Sequence, residues 1–343
     1  VNVSQITRLI PRLDVALQAR MALFDVRHET AVRLFNGFTE GYPDLVVDLY
    51  GASVVLHNYA ETPQARDAHV VEAISLYCET LPWLRCVIVK QRNARTERER
   101  NGVLVYGDAP DRWVRDPGSA VGMGVRYATN LTLNRDASFY LDTRNLRAWA
   151  ISQLRAKTVL NTFAYTGSLG VAALAGGAQR VVQLDLNRQF LNVAKTSYTL
   201  NGFPIHKPDF VAEDFFPAIN RLKRQTALFD CVILDPPFFS TTAKGMVDLT
   251  SADATARLIN KVRPLVRDGG WLVAINNALY LRGADYVREL EALCADGYLS
   301  IEAFIPVPED IIGYPETRMG TFPIDPAPFN HPTKIAVLRV RRK

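Results

Sequence analysis

Leu160-Asn161-Thr162-Phe163-Ala164-Tyr165-Thr166-Gly167-Ser168-Leu169-Gly170 decides the fold, because an apolar strand-like run passes straight into a glycine turn that opens a helix. Outward from it the pattern repeats. Strands are predicted at 158–162, 180–184, 208–212, 229–234 and 270–275, and helices at 168–175, 187–201, 215–224, 252–264 and 284–295. Regular alternation of this kind specifies an α/β fold with a doubly wound, mainly parallel sheet. The tail departs from it: 299–307 and 334–341 read as strands joined by a Pro-rich loop, hence as an antiparallel pair at the sheet edge.

Upstream the pattern is irregular. Residues 11–23 and 27–35 carry apolar positions three and four apart, including Leu13, Leu17 and Met21, and predict amphipathic helices. Residues 45–49 and 53–58 flank Tyr50-Gly51-Ala52 as a hairpin, 67–78 reads as a helix, and 86–90, 102–106 and 124–129 read as strands. This predicts a small α+β domain over 1–134 before a catalytic α/β domain over 135–343, as the length of 343 residues also suggests.

Composition narrows the partners. The formal net charge is +5, but between Arg85 and Lys157 fourteen Lys/Arg stand against seven Asp/Glu, so the excess is concentrated there. An arginine-biased stretch beside a catalytic domain fits a phosphate backbone, and a solvated basic surface would look the same. Four widely spaced cysteines, Cys78, Cys86, Cys231 and Cys294, make neither a metal-ligand pair nor a disulfide framework, which suits a reducing cytoplasm. Five scattered histidines suggest no metal site. No run approaches the roughly 18 apolar residues that span a bilayer, and no secretion leader is read. A membrane partner is not expected, and a homodimer is left open.

Chemistry is expected where the strands end, in the crevice at the topological switch point. Gly167 lets the main chain approach a ligand and precedes free helix amides, although any tight strand-to-helix turn uses glycine. Asp185 ends the second strand at the position where a carboxylate accepts from both ribose hydroxyls of a nucleoside cofactor. The turn lacks the G-x-G-x-x-G order of a dinucleotide site. Asp214 can accept from an adenine amino group, with Phe215 as stacking area, and it serves equally as a helix N-cap. Asp235-Pro236-Pro237-Phe238-Phe239 follows Val232-Ile233-Leu234; consecutive prolines stiffen the turn and project acceptors, while a ring offers a stacking face for a planar substrate.

These residues resemble class I S-adenosylmethionine-dependent methyltransferases, and among them the bacterial 23S ribosomal RNA large-subunit methyltransferases. The likeness extends to Ser138-Phe139-Tyr140-Leu141-Asp142-Thr143-Arg144-Asn145-Leu146-Arg147, similar to the family's lead-in segment, and to 38–50 with Asn101-Gly102-Val103-Leu104, similar to its middle RNA-handling domain. It implies a Rossmann-like methyltransferase domain, S-adenosylmethionine as cofactor and 23S rRNA as partner. It further implies cofactor contacts from Phe163, Tyr165, Thr166, Gly167, Asp185, Leu186, Asp214, Phe215, Asp142 and Arg144, and a catalytic set of Asp235, Pro236, Pro237, Phe238 and Asn276. Asp142 and Arg144 read equally as a salt-bridged structural pair. No counterpart is expected in this sequence for the small N-terminal RNA-binding domain of the PUA type found in many relatives.

A second departure concerns the acceptor atom. Methylation of cytosine at carbon 5 needs an attacking thiolate, and relatives with that activity have a cysteine after the fifth strand, where this chain has Ala274-Ile275-Asn276-Asn277. Cys231 reads as a buried strand thiol. The Asn pair is more similar to relatives that methylate a guanine ring nitrogen, so transfer to a purine nitrogen of an unpaired or flipped base is the favoured reading. The alternatives are cytosine-5 methylation, a small-molecule methyltransferase, a non-catalytic RNA-binding protein on this fold, and a nicotinamide oxidoreductase, which leaves the Asp-Pro-Pro-Phe turn unexplained.

Overall fold

Alternating Val and Leu positions in the first part of the chain build a sheet backed by helices. The structure, a computed structural model, describes residues 9–64, 67–117, 124–237, 239–242, 245–248 and 251–342. It divides into two units, Val1–Arg144 with Pro308–Thr321, and Asn145–Val307 with Phe322–Lys343. The division falls after Arg144 rather than after residue 134, and the first unit takes back a late segment. Asp310 explains the return: its carboxylate receives both terminal nitrogens of Arg144 at 2.8 and 3.0 Å and the backbone amide of Arg33 at 3.0 Å.

In the first unit, helix α1 (Leu9–Arg20) precedes strands β1 (Ala31–Asn36), β2 (Leu45–Tyr50) and β3 (Ser53–Asn58). Helix α2 (Ala68–Thr80), β4 (Cys86–Gln91), the short helix α3 (Glu97–Asn101) and β5 (Val103–Gly107) follow. The five strands pair in the order β1-β2-β3-β4-β5. Leu13 and Leu17 of α1 and Val70, Ala73 and Tyr77 of α2 pack against Val32, Leu34, Val47, Val54, Leu56 and Val87 to form this unit's core. The helix expected over 27–35 is therefore wrong. Val32 and Leu34 alternate with Arg33, which pairs with Asp48 across β2, and this period-two fit outweighs the helical spacing. Residues 113–114 and 127–128 form a separate two-stranded ladder, β6 (Trp113–Val114) with β7 (Tyr127–Ala128).

The second unit begins in helix α4 (Arg144–Gln153), which the sequence reading did not anticipate, and continues with the expected alternation. It runs β8 (Thr158–Thr162), α5 (Ser168–Ala175), β9 (Arg180–Asp185), α6 (Arg188–Leu200), β10 (Phe210–Ala212), α7 (Phe215–Arg224) and β11 (Phe229–Leu234). A hairpin of β12 (Phe239–Thr242) and β13 (Gly245–Asp248) interrupts it before α8 (Ala252–Val262), β14 (Val266–Asn276), α9 (Gly283–Cys294), β15 (Leu299–Phe304) and β16 (Lys334–Val340). The seven strands lie in the order β10-β9-β8-β11-β14-β16-β15, parallel through β14 and antiparallel thereafter, so the antiparallel edge pair is present. The chain leaves β8 towards β9 and β10, then returns to β11 on the other side, which puts the switch point between β8 and β11. Leu160, Val182, Val232, Leu272 and Leu338 bury one face of this sheet against Ile219 of α7, Ile259 of α8 and Leu290 of α9.

Candidate functional site at the carboxyl edge of the parallel sheet

Register brings the sequence motifs to one edge. Thr162 sits opposite Leu184 and Leu234, Asp185 opposite Ala212, and Leu234 opposite Ala274, so the turns after β8, β9, β10, β11 and β14 leave the sheet together. Thr162 donates its hydroxyl proton to the Ile233 carbonyl at 2.8 Å and ties the two strands flanking the switch point.

The turn after β8 is held in an unusual backbone form. Phe163, Tyr165 and Gly167 have φ of 52°, 52° and 76°, and the first two are non-glycine residues in the left-handed region, which costs of order 1–3 kcal/mol each unless the surroundings impose it. Those surroundings are visible. The Tyr165 amide donates to Asp185 Oδ2 at 2.8 Å, the Ala164 amide to the Leu184 carbonyl at 2.9 Å, and Gln183 Nε2 to the Gly167 carbonyl at 3.1 Å. Gln183 is itself fixed by Asn161, which donates to its Oε1 at 2.8 Å in the buried interior. Gly167 answers both to its positive φ and to space, since a Cβ there would lie 2.6 Å from the Cβ of Ala194 on α6.

Asp185 is half-buried, with Oδ1 accepting from the Asn187 amide at 2.7 Å as Oδ2 accepts from Tyr165. Burial raises its carboxyl above the usual range even against these two amides. Each oxygen keeps a lone-pair direction for a further donor. The neighbouring Leu186 is 70% exposed, an apolar side chain held in solvent beside that acid. Tyr165 packs edge-on against Phe190 at 4.6 Å, and Phe163 stacks on Phe215 at 4.6 Å.

Other expected residues are placed differently. Asp214 caps α7, its Oδ1 accepting from the Phe216 amide at 2.9 Å, and remains exposed. Phe215 is buried in the core, so its ring is spent on Phe163, while Phe216 is the exposed ring at that corner. Asp235 is half-buried, Pro236 buried and Pro237 exposed. Phe238 lies outside the described residues. Asn276 is fully buried, donating to Thr255 Oγ1 at 3.1 Å and accepting from the Ala278 amide at 3.0 Å, so its carboxamide holds the turn after β14 together and does not reach outward. Asp142 and Arg144 belong to the first unit, where Arg144 is taken up by Asp310 and by the Ala31 carbonyl at 3.0 Å.

The sequence profile of a family described as S-adenosylmethionine-dependent methyltransferase matches residues 33–312. The chain belongs to that family. Ribosomal RNA large subunit methyltransferase I of Photobacterium profundum is 30% identical over 236 residues, covering 67% of this chain and 58% of that protein. The same-named protein of Aeromonas hydrophila is 31% identical over 232 residues, covering 67% and 57%. The chain thus spans less than two thirds of the length of these relatives. The SMU.776 methyltransferase structure, solved with SAH, superposes with a TM-score of 0.79 at 20% identity over 98% of this chain and 82% of that one, a likeness of fold.

S-adenosylmethionine is the family's cofactor, and the residues at this sheet edge fit it. A carboxylate with unused lone pairs, an apolar neighbour in solvent and a backbone turn locked open by side-chain bonds suit a nucleoside with a ribose diol and a planar base. Two features escaped the sequence reading. The Asn161–Gln183 pair behind the turn gave no local signal, because its meaning depends on two strands meeting. Asn277 was visible as one of a pair, but only the structure separates it from Asn276: its Oδ1 is buried and has no hydrogen-bond partner among the described residues. A buried acceptor without a donor is uncommon and points to something that supplies one. Cys231 is wholly buried within β11, and burial pushes its thiol far up, so it is an inert strand residue. Among the described residues no group of three or more His, Cys, Asp or Glu is arranged to hold a metal, and no helix is long and apolar enough to cross a membrane.

Proposed function

We propose that this chain transfers a methyl group from S-adenosylmethionine to a ring nitrogen of a purine in large-subunit ribosomal RNA. The observation that carries the reading is the buried Asn277 Oδ1, without a partner among the described residues, at the same sheet edge as the Asp235-Pro236-Pro237 turn. A purine offers donors at its hydrogen-bonding edge, and acceptors at Asp235 and Asn277, which follow adjacent strands at one sheet edge, suit such donors. The names of the curated relatives support the RNA class, and the arginine-rich stretch between Arg85 and Lys157 suits its phosphates.

The cofactor supplies a methyl group on a sulfonium, a good leaving group that departs as a neutral thioether. Asp185 would hold the ribose hydroxyls, and Leu186 and Phe216 would offer apolar surface to the adenine. Asp235 and Asn277 would hold the base by its hydrogen-bonding edge, and Pro236 and Pro237 would keep that turn from yielding. Where the attacking nitrogen bears a proton, Asp235 would accept it. Alignment of two bound reactants accounts for the catalysis, with no covalent enzyme intermediate. Carbon-5 methylation is disfavoured because the one thiol in the sheet, Cys231, is sealed inside β11 and stays protonated.

The test is methyl transfer to ribosomal RNA from cells lacking this protein, followed by mass mapping. One restored mark on a purine nitrogen is expected, and a mark on a pyrimidine carbon or on no RNA would overturn the assignment. Asp235→Ala should lower transfer by about 100-fold or more while leaving cofactor affinity near wild type.

A further inference from the structure

The turn that joins β14 to α9 leaves the sheet at the same edge as the Asp235-Pro236-Pro237 turn and is pinned at both ends. At its start both backbone groups of Ala278 are held: the amide donates to Asn276 Oδ1 at 3.0 Å, and the carbonyl accepts from the buried Lys334 ammonium at 3.0 Å. Lys334 opens β16 directly opposite Asn276, so the neighbouring strand supplies that clamp. At its end the Gly283 amide donates to the Asp325 carbonyl at 3.1 Å, and a Cβ on Gly283 would lie 1.7 Å from the Pro326 carbonyl oxygen. Between these fixed points Leu281 packs against the core of the second unit, while Leu279 is 67% exposed and Tyr280 46%. Arg282 follows on the surface and shares Asp285 with Arg288, so two guanidinium groups stand against one carboxylate.

Holding a leucine and a tyrosine in water on a fixed turn contributes nothing to the fold, because their apolar surface stays wet. The arrangement suits a partner that brings a flat face to the turn, since that surface is then buried and no loop has to be ordered on binding. We propose that Tyr280, with Leu279 beside it, stacks on an unpaired RNA base next to the one being methylated, and that Arg282 and Arg288 meet the adjoining phosphates. The inference rests on the RNA reading of the site and adds the residues that hold the flanking nucleotide. A target base that has left its stack exposes a face of its neighbour, which an aromatic ring can cover. Ring and charge together select this occupant: every base has a π-face and every nucleotide a phosphate, and a single strand binds where both are met. An apolar peptide would also cover the ring, but it would leave the two guanidinium groups unused.

The test is filter retention of ribosomal RNA from cells lacking this protein, read beside methyl transfer to the same RNA. Tyr280→Ala should weaken retention and raise KM by about 5- to 150-fold, the span of one lost base stack, with kcat at saturating RNA near the parent value. Tyr280→Phe, which keeps the ring, should stay within about twofold of the parent chain. Affinity for S-adenosylhomocysteine and the urea midpoint should be unchanged in both variants. Arg282→Gln should flatten the slope of log affinity against log salt by about 0.7, the share of one phosphate contact on a single strand. Retention by Tyr280→Ala within about twofold of the parent, or a Tyr280→Phe variant as weak as Tyr280→Ala, would overturn the proposal. A methyl mark on a pyrimidine carbon with the Tyr280 dependence intact would overturn the purine assignment and support the stacking one. A parent chain that holds no RNA would overturn both.

Discussion

Replacing Asp185 by alanine separates the two tasks the structure gives this side chain. Inside the protein it accepts from the Tyr165 and Asn187 amides at 2.8 and 2.7 Å and so pins a turn containing two left-handed non-glycine residues. Hydrogen bonds to a charged acceptor contribute about 1.5–3 kcal/mol each, but the raised carboxyl pKa shows that burial offsets part of this, so a net stability loss of about 1–3 kcal/mol is expected. Towards the cofactor, the lost ribose bonds should cost a further 1.5–3 kcal/mol or about 10- to 150-fold in Kd. Calorimetric titration with S-adenosylhomocysteine, beside urea melts, reads both quantities. The wild-type affinity should also fall on acidification sooner than an ordinary aspartate would cause, because a carboxyl whose pKa is raised gains its proton, and loses an acceptor, at a higher pH. If Asp185→Ala folds and binds the cofactor within a factor of about three of wild type, the ribose assignment is wrong.

Three further outcomes test the scaffold. Lys334 is fully buried and, among the described residues, donates to the Ala278 and Pro332 carbonyls, and burial pushes its ammonium down to about 8. The unfolded chain holds that proton more tightly, so the stabilising change comes as pH rises through the folded value towards the unfolded 10.5. Relative to Lys334→Met, the wild type should gain about 2 kcal/mol between about pH 7 and about pH 9.5, and a flat difference in urea melts would refute this. Gly170→Ala, a stabilising change in an ordinary helix, should here cost about 1–3 kcal/mol, since its Cβ would lie 2.2 Å from Gln183 Nε2; a raised melting temperature would contradict the packing. Asp310→Asn should cost about 1.5–3 kcal/mol by taking from the buried Arg144 guanidinium the nearer of its two carboxylates, Asp116 lying at 3.9 Å, and a loss under about 1 kcal/mol would mean that the pair does not anchor the returning segment.

Local sequence carried the alternating half of the molecule nearly intact. Strand 158–162, helix 168–175, helix 215–224 and strand 229–234 lie where their periodicity put them, because each is written in side chains one to four residues apart. The same signal misled over 27–35, where apolar residues satisfy both periods and only pairing with β2 selects the strand. The hairpin after Asp235-Pro236-Pro237 and the helix from Arg144 were not read at all.

From the sequence alone came the alternation that makes a parallel sheet, and with it the edge where Gly167, Asp185, Asp214 and Asp235 had to gather. Tertiary structure decided which of those side chains remain free to meet a ligand. It buried Phe215 on Phe163, locked Asn276 to Thr255 while giving Asn277 Oδ1 no partner among the described residues, gave Arg144 to Asp310, and closed the β1 edge of the first sheet with Arg115 and Asp310. The reason is one of range: periodicity is set by near neighbours, whereas a polar atom's partner depends on the register between segments as far apart as Arg144 and Asp310, which no short stretch of sequence encodes.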